Sequence, residues 1–240
     1  MTISKVQHKH TYVGTTAAFS SNVTAGNLII VWVSGGDGTS SDASCSDNLG
    51  NTYTKVGQVR VNRTSAAAYY AIVTTGGSCT VTAQAGSGDH GLTAYEYTST
   101  VGSFTSGEYV SGEVVGITSG TTLTRSATLS STGMLFCGWA NEINNFLSGW
   151  TSNLTQIARD TGHYDASAHG LNLSSGSYTE GPTTSSASLD HVVSLLAFHE
   201  PSSGGSAPLK NIVGLPLSST STVLGLAKTS VKTFNGLSTT

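Results

Sequence analysis

Gly26-Asn27-Leu28-Ile29-Ile30-Val31-Trp32-Val33 is the stretch whose reading decides the fold. Six apolar residues follow a Gly-Asn turn, long enough for a strand and too short for a free-standing helix. β-Branched and aromatic types dominate it, as in a strand buried along most of its length. Two later runs match it: Met134-Leu135-Phe136-Cys137-Gly138-Trp139 and Val192-Val193-Ser194-Leu195-Leu196-Ala197-Phe198. These three runs are expected to share one core, with the last closing the domain.

Working outward, weak alternation over Thr11 to Phe19 suggests a first strand near an edge. Ala66 to Val73 reads as a strand despite its alanines, because aromatic and β-branched residues close it and Thr-Thr-Gly-Gly ends it. Cys79 to Ala83 and Leu92 to Tyr97 follow at hairpin spacing, and the second half continues with short strand-like runs. Strands spaced roughly ten residues apart with Gly-rich turns point to an all-β sandwich, jelly-roll-like, rather than alternating α/β units. Charged residues make up only 10% of the 240-residue chain, against about 25% in ordinary soluble proteins. Ser, Thr and Gly fill the polar positions instead, which suits many short strands joined by tight turns. The 8% aromatic content and the spaced apolar runs argue against disorder.

Net charge is −3 with ten scattered Lys and Arg, so nothing electrostatic points to nucleic acid. No apolar segment approaches the roughly 20 residues of a bilayer-spanning helix, and no membrane partner is expected. The opening Met1–His8 is polar, and no secretory signal is expected from it. Three cysteines allow at most one bridge, which leaves open whether Cys45 and Cys79 pair; Cys137 lies in a strand-like run as a small buried thiol.

Gly26 to Val31, then Ser46-Asp47-Asn48-Leu49-Gly50-Asn51-Thr52-Tyr53-Thr54, Ala68-Tyr69-Tyr70-Ala71 and Ala94-Tyr95-Glu96-Tyr97 resemble a β-sandwich module of bacterial and tailed-phage surface proteins. The resemblance spans about residues 10–200, with Val192 to Phe198 as the closing strand. It implies a fold and carries no activity, because such modules serve many functions.

Pro201 to Pro208 is a linker by composition, so the expected division is a sandwich over 1–200, a linker over 201–208 and a tail over 209–240. The tail repeats with period eleven. Gly214, Gly225 and Gly236 are each followed by Leu (Leu215, Leu226, Leu237) and preceded two residues earlier by Ile212, Val223 or Phe234. An eleven-residue period also fits a right-handed helical coil, but a Gly in every repeat and Pro216 in the first favour strand and turn. About thirty such residues cannot enclose a core alone, so the missing neighbours are other subunits. The tail resembles degenerate repeats at the ends of tailed-phage virion proteins, Ser230 to Leu237 most closely. That resemblance implies an assembly or docking segment, with trimers as the expected assembly.

Candidate chemistry is sparse. Asp42, Asp47, Asn48 and Asn51 are oxygen donors suited to Ca²⁺ but equally to shaping turns, and the second role is favoured. His8 and His10 share a strand face and read as an exposed pair rather than metal ligands. Glu96 and Glu142 would need to face one cleft to cleave glycans, and exposed positions explain them more simply. Trp150, Tyr109, Tyr164 and Tyr178 offer flat faces for sugar rings, Trp150 and Tyr164 being the pair singled out, while Trp32 and Trp139 belong to the core. No nucleophile elbow, metal motif or cofactor motif is present. The leading expectation is therefore a non-enzymatic virion component of a tailed phage: a fibre, tail-associated or capsid-decorating protein. It would need no cofactor, assemble in the host cytoplasm, and contact its own copies and other virion proteins. The alternative is a carbohydrate-binding module of a bacterial surface or exported protein.

Overall fold

A computed structural model describes residues 2–35, 43–85, 90–118, 120–121, 123–141, 147–160, 165–185 and 190–202, together with four short strands between 222 and 238. Two compact units emerge, Met1–Pro201 and Ser202–Thr240. The first is built almost wholly from antiparallel strands. A 3-10 turn at Ser106–Glu108 is the exception among the described residues, and Thr105 and Glu108 close it as a capping box.

The strand order reveals a duplication. The first copy runs β1 (Ile3–Thr11), β2 (Thr16–Ala18), β3 (Leu28–Gly35), β4 (Ser44–Asp47), β5 (Thr54–Val61), β6 (Thr64–Ile72), β7 (Thr80–Gln84) and β8 (His90–Ser99). Its large sheet has the order β1-β8-β3-β6-β5 and its small sheet β2-β7-β4. The second copy runs β9 (Tyr109–Ile117), β10 (Arg125–Leu129), β11 (Gly133–Asn141), β12 (Leu147–Trp150), β13 (Thr155–Asp160), β14 (Asp165–Leu173), β15 (Gly176–Glu180), β16 (Pro182–Thr184) and β17 (His191–His199). Its large sheet is β9-β17-β11-β14-β13, the same order. The small sheet recurs as β10-β15 and β16-β12, the counterpart of β7 being interrupted at Gly181. First strand pairs with last and second with last but one, the winding of a jelly roll.

Register and irregularities repeat as well. Leu28 pairs with Tyr97 as Met134 pairs with Phe198, and Gly35 with His90 as Asn141 with His191. Bulges fall at matching places: between Lys5 and Gln7 in β1 and opposite Ala197/Phe198 in β9, between Lys55 and Gly57 in β5 and between Gln156 and Ala158 in β13. All the residues carrying the module pattern from Gly26 to Tyr97 therefore lie in the first copy.

The two large sheets face each other and each small sheet covers an outer face, giving four layers. This explains why the decisive runs lack alternation. In β3, Leu28, Ile30 and Trp32 enter the central core with Met134, Phe136, Leu196 and Phe198, while Ile29, Val31 and Val33 pack under the small sheet with Ala17, Val81 and Ala83. In the second copy, Leu135, Cys137, Trp139, Val193 and Leu195 face outward onto Leu129, Ala127 and Leu147. Near the centre Trp32 lies on its own counterpart, Gly138, where a Cβ would come 2.5 Å from the indole. A residue meeting its equivalent marks a pseudo-twofold axis. On one flank of that axis, where β5 meets β9, a side chain at Gly112 or Gly116 would strike Val56 or Val61, so glycine lets the sheets close.

One expectation changes. The first strand is Ile3–Thr11, and of the expected Thr11 to Phe19 strand only Thr16–Ala18 forms, in a small sheet. Polar residues hid β1, whose inner face is polar for a reason given below. Cys45, Cys79 and Cys137 are free thiols.

In the second unit the described backbone forms two short antiparallel pairs eleven residues apart. Thr222 pairs with Ala227 and Val223 with Leu226; Thr233 pairs with Ser238 and Phe234 with Leu237. The dipeptides between the partners, Leu224-Gly225 and Asn235-Gly236, have the composition of two-residue hairpin connections. The described pairs are strands, as expected of the tail. Ile212, Gly214, Leu215, Gly225 and Gly236 lie outside the described residues, as does 203–208, most of the expected linker.

Candidate functional site

The duplication provides an internal control for locating a site. Equivalent positions on the two flanks of the axis do the same structural work, so a difference between them is not required by the fold. On the β5/β9 flank the inner positions are apolar: Val114, Ala66, Ala68, Ala140, Leu196 and Phe198 all sit in the central core. By register, their counterparts on the β1/β13 flank are His10, Asp165, Ser167, Ser34, Tyr95 and Tyr97. One flank carries a buried polar seam where the other carries hydrocarbon.

The seam is hydrogen-bonded, as burial requires. Asp165, 2% exposed, accepts from Ser34 Oγ at 3.0 Å and lies 3.9 Å from His10 Nε2. His10 Nδ1 and Thr93 Oγ1 are 2.5 Å apart. Tyr95 and Ser167 share a hydrogen bond across the two sheets. Nearer the open edge, Tyr97 OH is 3.2 Å from His169 Nδ1, His8 stacks on Tyr95 with centroids 5.7 Å apart, and Lys5 Nζ is 3.4 Å from His8 Nδ1. Burial, and then the nearby Lys5 ammonium, lower the His169 pKa to about 4, so this imidazole is neutral at pH 7. His8 is lowered for the same reasons, burial first.

The seam opens into a cleft of about 540 Å³ between the start of β1 and the end of β14, bounded by Thr2, Ser4, Asn153, Thr155, His169 and Leu171 among others. Asn172, in the left-handed region at φ +56, ties the chain start to β14: its Oδ1 accepts from Thr2 N and Ile3 N at 2.9 Å and its Nδ2 donates to Ile3 O at 3.0 Å. A second cleft of about 400 Å³ occupies the equivalent corner of the other flank, where Thr52, Thr54, Tyr70 and Ile72 stand for Asn153, Thr155, His169 and Leu171.

Thr93, His10 and Asp165 stand in the order of a nucleophile, a base and an orienting acid. The geometry does not support that role. Thr93 is 2% exposed, out of reach of a substrate, and 3.9 Å exceeds a hydrogen bond. Among the described residues no group of three or more His, Cys, Asp or Glu side chains is placed to hold a metal ion. Nor is any helix among them long and apolar enough to cross a membrane.

Most residues singled out from sequence prove structural. Asp47 accepts from Leu49 N, Asn51 N, Asn51 Nδ2 and Tyr53 OH at 2.8–3.1 Å. Asn48 bridges to Ser78 O and Thr80 N, and Asn51 Oδ1 accepts from Thr74 N and Thr75 N. These oxygens shape the turn, as favoured; Asp42 lies outside the described residues. Glu96 is fully buried rather than exposed, with its carboxylate taken up by Thr24 N, Asn27 Nδ2 and Gln7 Nε2. Its proposed partner Glu142 is outside the described residues. Trp150 is half-buried against the outer core of the second copy, and its Nε1 donates to Gln156 Oε1 at 3.3 Å, so it offers less free face than an exposed tryptophan would. Tyr164 is outside the described residues. Tyr109 stacks on Tyr70, and Tyr178 OH donates to Ser174 O. His8 and His10 do share a face, the inner face of β1; His8 is exposed, as expected, while His10 is half-buried in the seam. Trp32 and Trp139 are core, as expected.

No known protein family, curated protein or solved structure matches the chain.

Proposed function

We propose that this chain is a structural, non-enzymatic component that assembles through its C-terminal repeats and presents the duplicated β-body outward. One observation carries the reading: the tail's paired segments have two residues per strand. An isolated hairpin even of ordinary length is marginal in water, so hairpins this short call for neighbours. Apolar residues recur at one position of each repeat, Ile212, Val223 and Phe234, each followed three residues later by Leu215, Leu226 or Leu237. That gives equivalent chains a common surface to bury. The setting best suited to such a tail is the virion of a tailed phage, as a fibre, tail-associated or capsid-decorating protein, with copies of the chain as first partners and a trimer as the expected assembly. Sedimentation of the full chain beside a truncation before Lys210 tests it: a multimer that falls to a monomer supports the reading, and equal monomeric masses end it.

A glycan-binding β-module, at a cell surface or in an exported protein, is the second reading. It is favoured by the cleft beside β1, where Ile3 and Leu171 stand beside Ser4, Thr155 and His169, rather than by Trp150.

A further inference from the structure

We propose that the two corner clefts are a matched pair of sites, each binding one neutral pyranose unit, so that a single body carries two. This rests on the glycan-binding reading and deepens it, and it is independent of the assembly reading.

The argument begins with the pseudo-twofold axis. One cleft lies between β13–β14 and the start of β1, the other between β5–β6 and the 3-10 turn that leads into β9. Across the seam the two copies exchange hydrocarbon for polar groups, yet at the clefts two matched positions keep their type. Thr54 pairs with Tyr70 as Thr155 pairs with His169, and two residues further along the inner strands stand Ile72 and Leu171. Both threonines are exposed and both aliphatic residues half-buried. Neither threonine hydroxyl has a hydrogen-bond partner among the described residues, so tying the strands together does not account for either. Tyr70 adds a second observation. It is 8% exposed, it lines its cleft, and its hydroxyl likewise bonds no described residue. A phenol so deeply buried ordinarily finds a partner. Its counterpart does, since His169 Nδ1 lies 3.2 Å from Tyr97 OH. A ligand hydroxyl in the cleft would complete Tyr70.

The lining narrows the ligand. Among the described residues no Lys, Arg, Asp or Glu lines either cleft, and His169 is neutral at pH 7. Phosphates, carboxylates and cations therefore meet no counter-charge there. Ile72 and Phe104 give one cleft an apolar wall, and Ile3 and Leu171 give the other theirs. Exposed polar groups stand around these walls: Thr52, Thr54 and Ser106 in the first, Ser4, Asn153 and Thr155 in the second. An apolar wall ringed by uncharged donors and acceptors matches a sugar ring, which has a C–H face and hydroxyls around its edge. Volumes of about 400 and 540 Å³ lie within the usual range for small-ligand sites.

Methyl NMR on the full chain tests the proposal, because Ile72 reports on one cleft and Leu171 on the other. The probes are methyl glucoside, methyl galactoside and N-acetylglucosamine, with methyl glucuronide as the charged comparison. Thr54→Trp and Thr155→Trp each fill one cleft from an exposed position, and Tyr70→Phe removes the unpaired hydroxyl. Melting and sedimentation of every sample check the fold and the assembly, and Tyr70→Phe should melt no lower than the parent. At least one neutral sugar should shift both methyl signals at millimolar or lower concentration, with the glucuronide no tighter. Thr54→Trp should abolish the response at Ile72 alone, and Thr155→Trp the response at Leu171 alone. Tyr70→Phe should weaken the Ile72 site about three- to tenfold and leave the Leu171 site unchanged. A response at one methyl only, a response that survives the tryptophan in its own cleft, or tighter binding of the glucuronide would overturn the matched pair while sparing the glycan reading. No response to any sugar would end both, and sedimentation of the same samples would still report on the tail.

Discussion

Replacing Gly138 with alanine probes the contact on which the two copies are centred. A Cβ at that position would lie 2.5 Å from Trp32 Cδ2 and 2.7 Å from Cε2 and Cε3. Carbon atoms pack at about 3.5–4.0 Å, so the indole must retreat by roughly 1 Å. Trp32 is 1% exposed and held in the central core, with little room to move. Overpacking of this kind costs about 1–3 kcal/mol, partly offset by the roughly 0.5–1 kcal/mol that alanine gains over glycine in a strand. The net expectation is a loss of about 1–2 kcal/mol. In a body of this size that lowers the melting temperature by about 2–8 °C. Urea unfolding followed by tryptophan fluorescence and circular dichroism measures it. The cause is isolated by repeating the substitution in Trp32→Leu, which removes the clashing ring atoms. There Gly138→Ala should be neutral or stabilising, a coupling of about 1 kcal/mol or more. An equal cost in both backgrounds, or a gain in the parent chain, would refute the packing of the two large sheets through this pair.

Other consequences follow from the buried polar groups. Glu96→Leu should destabilise the body by about 2–4 kcal/mol in urea, because Thr24 N and Asn27 Nδ2 lose their acceptor inside the protein. Asn172→Ala should release the start of β1, seen as faster amide exchange at Thr2 and Ile3 with little change in β3. The His169 pKa is depressed from 6.5 to about 4 in the folded protein, so the unfolded chain binds its proton first as pH falls. Stability should therefore drop between about pH 6.5 and pH 4 and level off below, and His169→Tyr, which copies Tyr70, should flatten that slope in pH-dependent melting. At Asp47, burial pushes the carboxyl pKa up, but hydrogen bonds from Asn51, Tyr53 and Leu49 outweigh it and the net pKa is lowered. Asp47→Asn should thus lose stability at neutral pH and little in strong acid, while chelators leave the parent's melting temperature unchanged.

The strands that carry the fold were legible because the four-layer stack buries both faces of β3, β11 and β17, and such strands write themselves as unbroken apolar runs. The duplication was not. The copies match in position rather than in residue type: Trp32 stands where the second copy has Gly138, since facing surfaces across an axis must complement each other. A faint signal exists in Ala17-Ala18-Phe19-Ser20-Ser21 and Ala127-Thr128-Leu129-Ser130-Ser131, equivalent stretches leading into the two central strands. The seam escaped for the converse reason. Lys5, His8 and His10 look like the solvated face of a polar segment, and Asp165 like a turn residue, until pairing brings β1 over β14. Glu96 was misplaced because alternation with Tyr95 and Tyr97 suggests a solvent face, whereas a small sheet and its loops cover that side. The tail's eleven-residue period does recur in the structure, where the two described strand pairs stand eleven residues apart.

Amide hydrogen exchange along the tail, measured over a dilution series of the full chain, tests the assembly claim most directly. The account predicts protection at Val223, Leu226, Phe234 and Leu237 in concentrated samples, lost together as the sedimenting mass falls to one 24.5 kDa chain, with β3 and β11 still protected. Tail protection that persists undiminished in a single chain would contradict it.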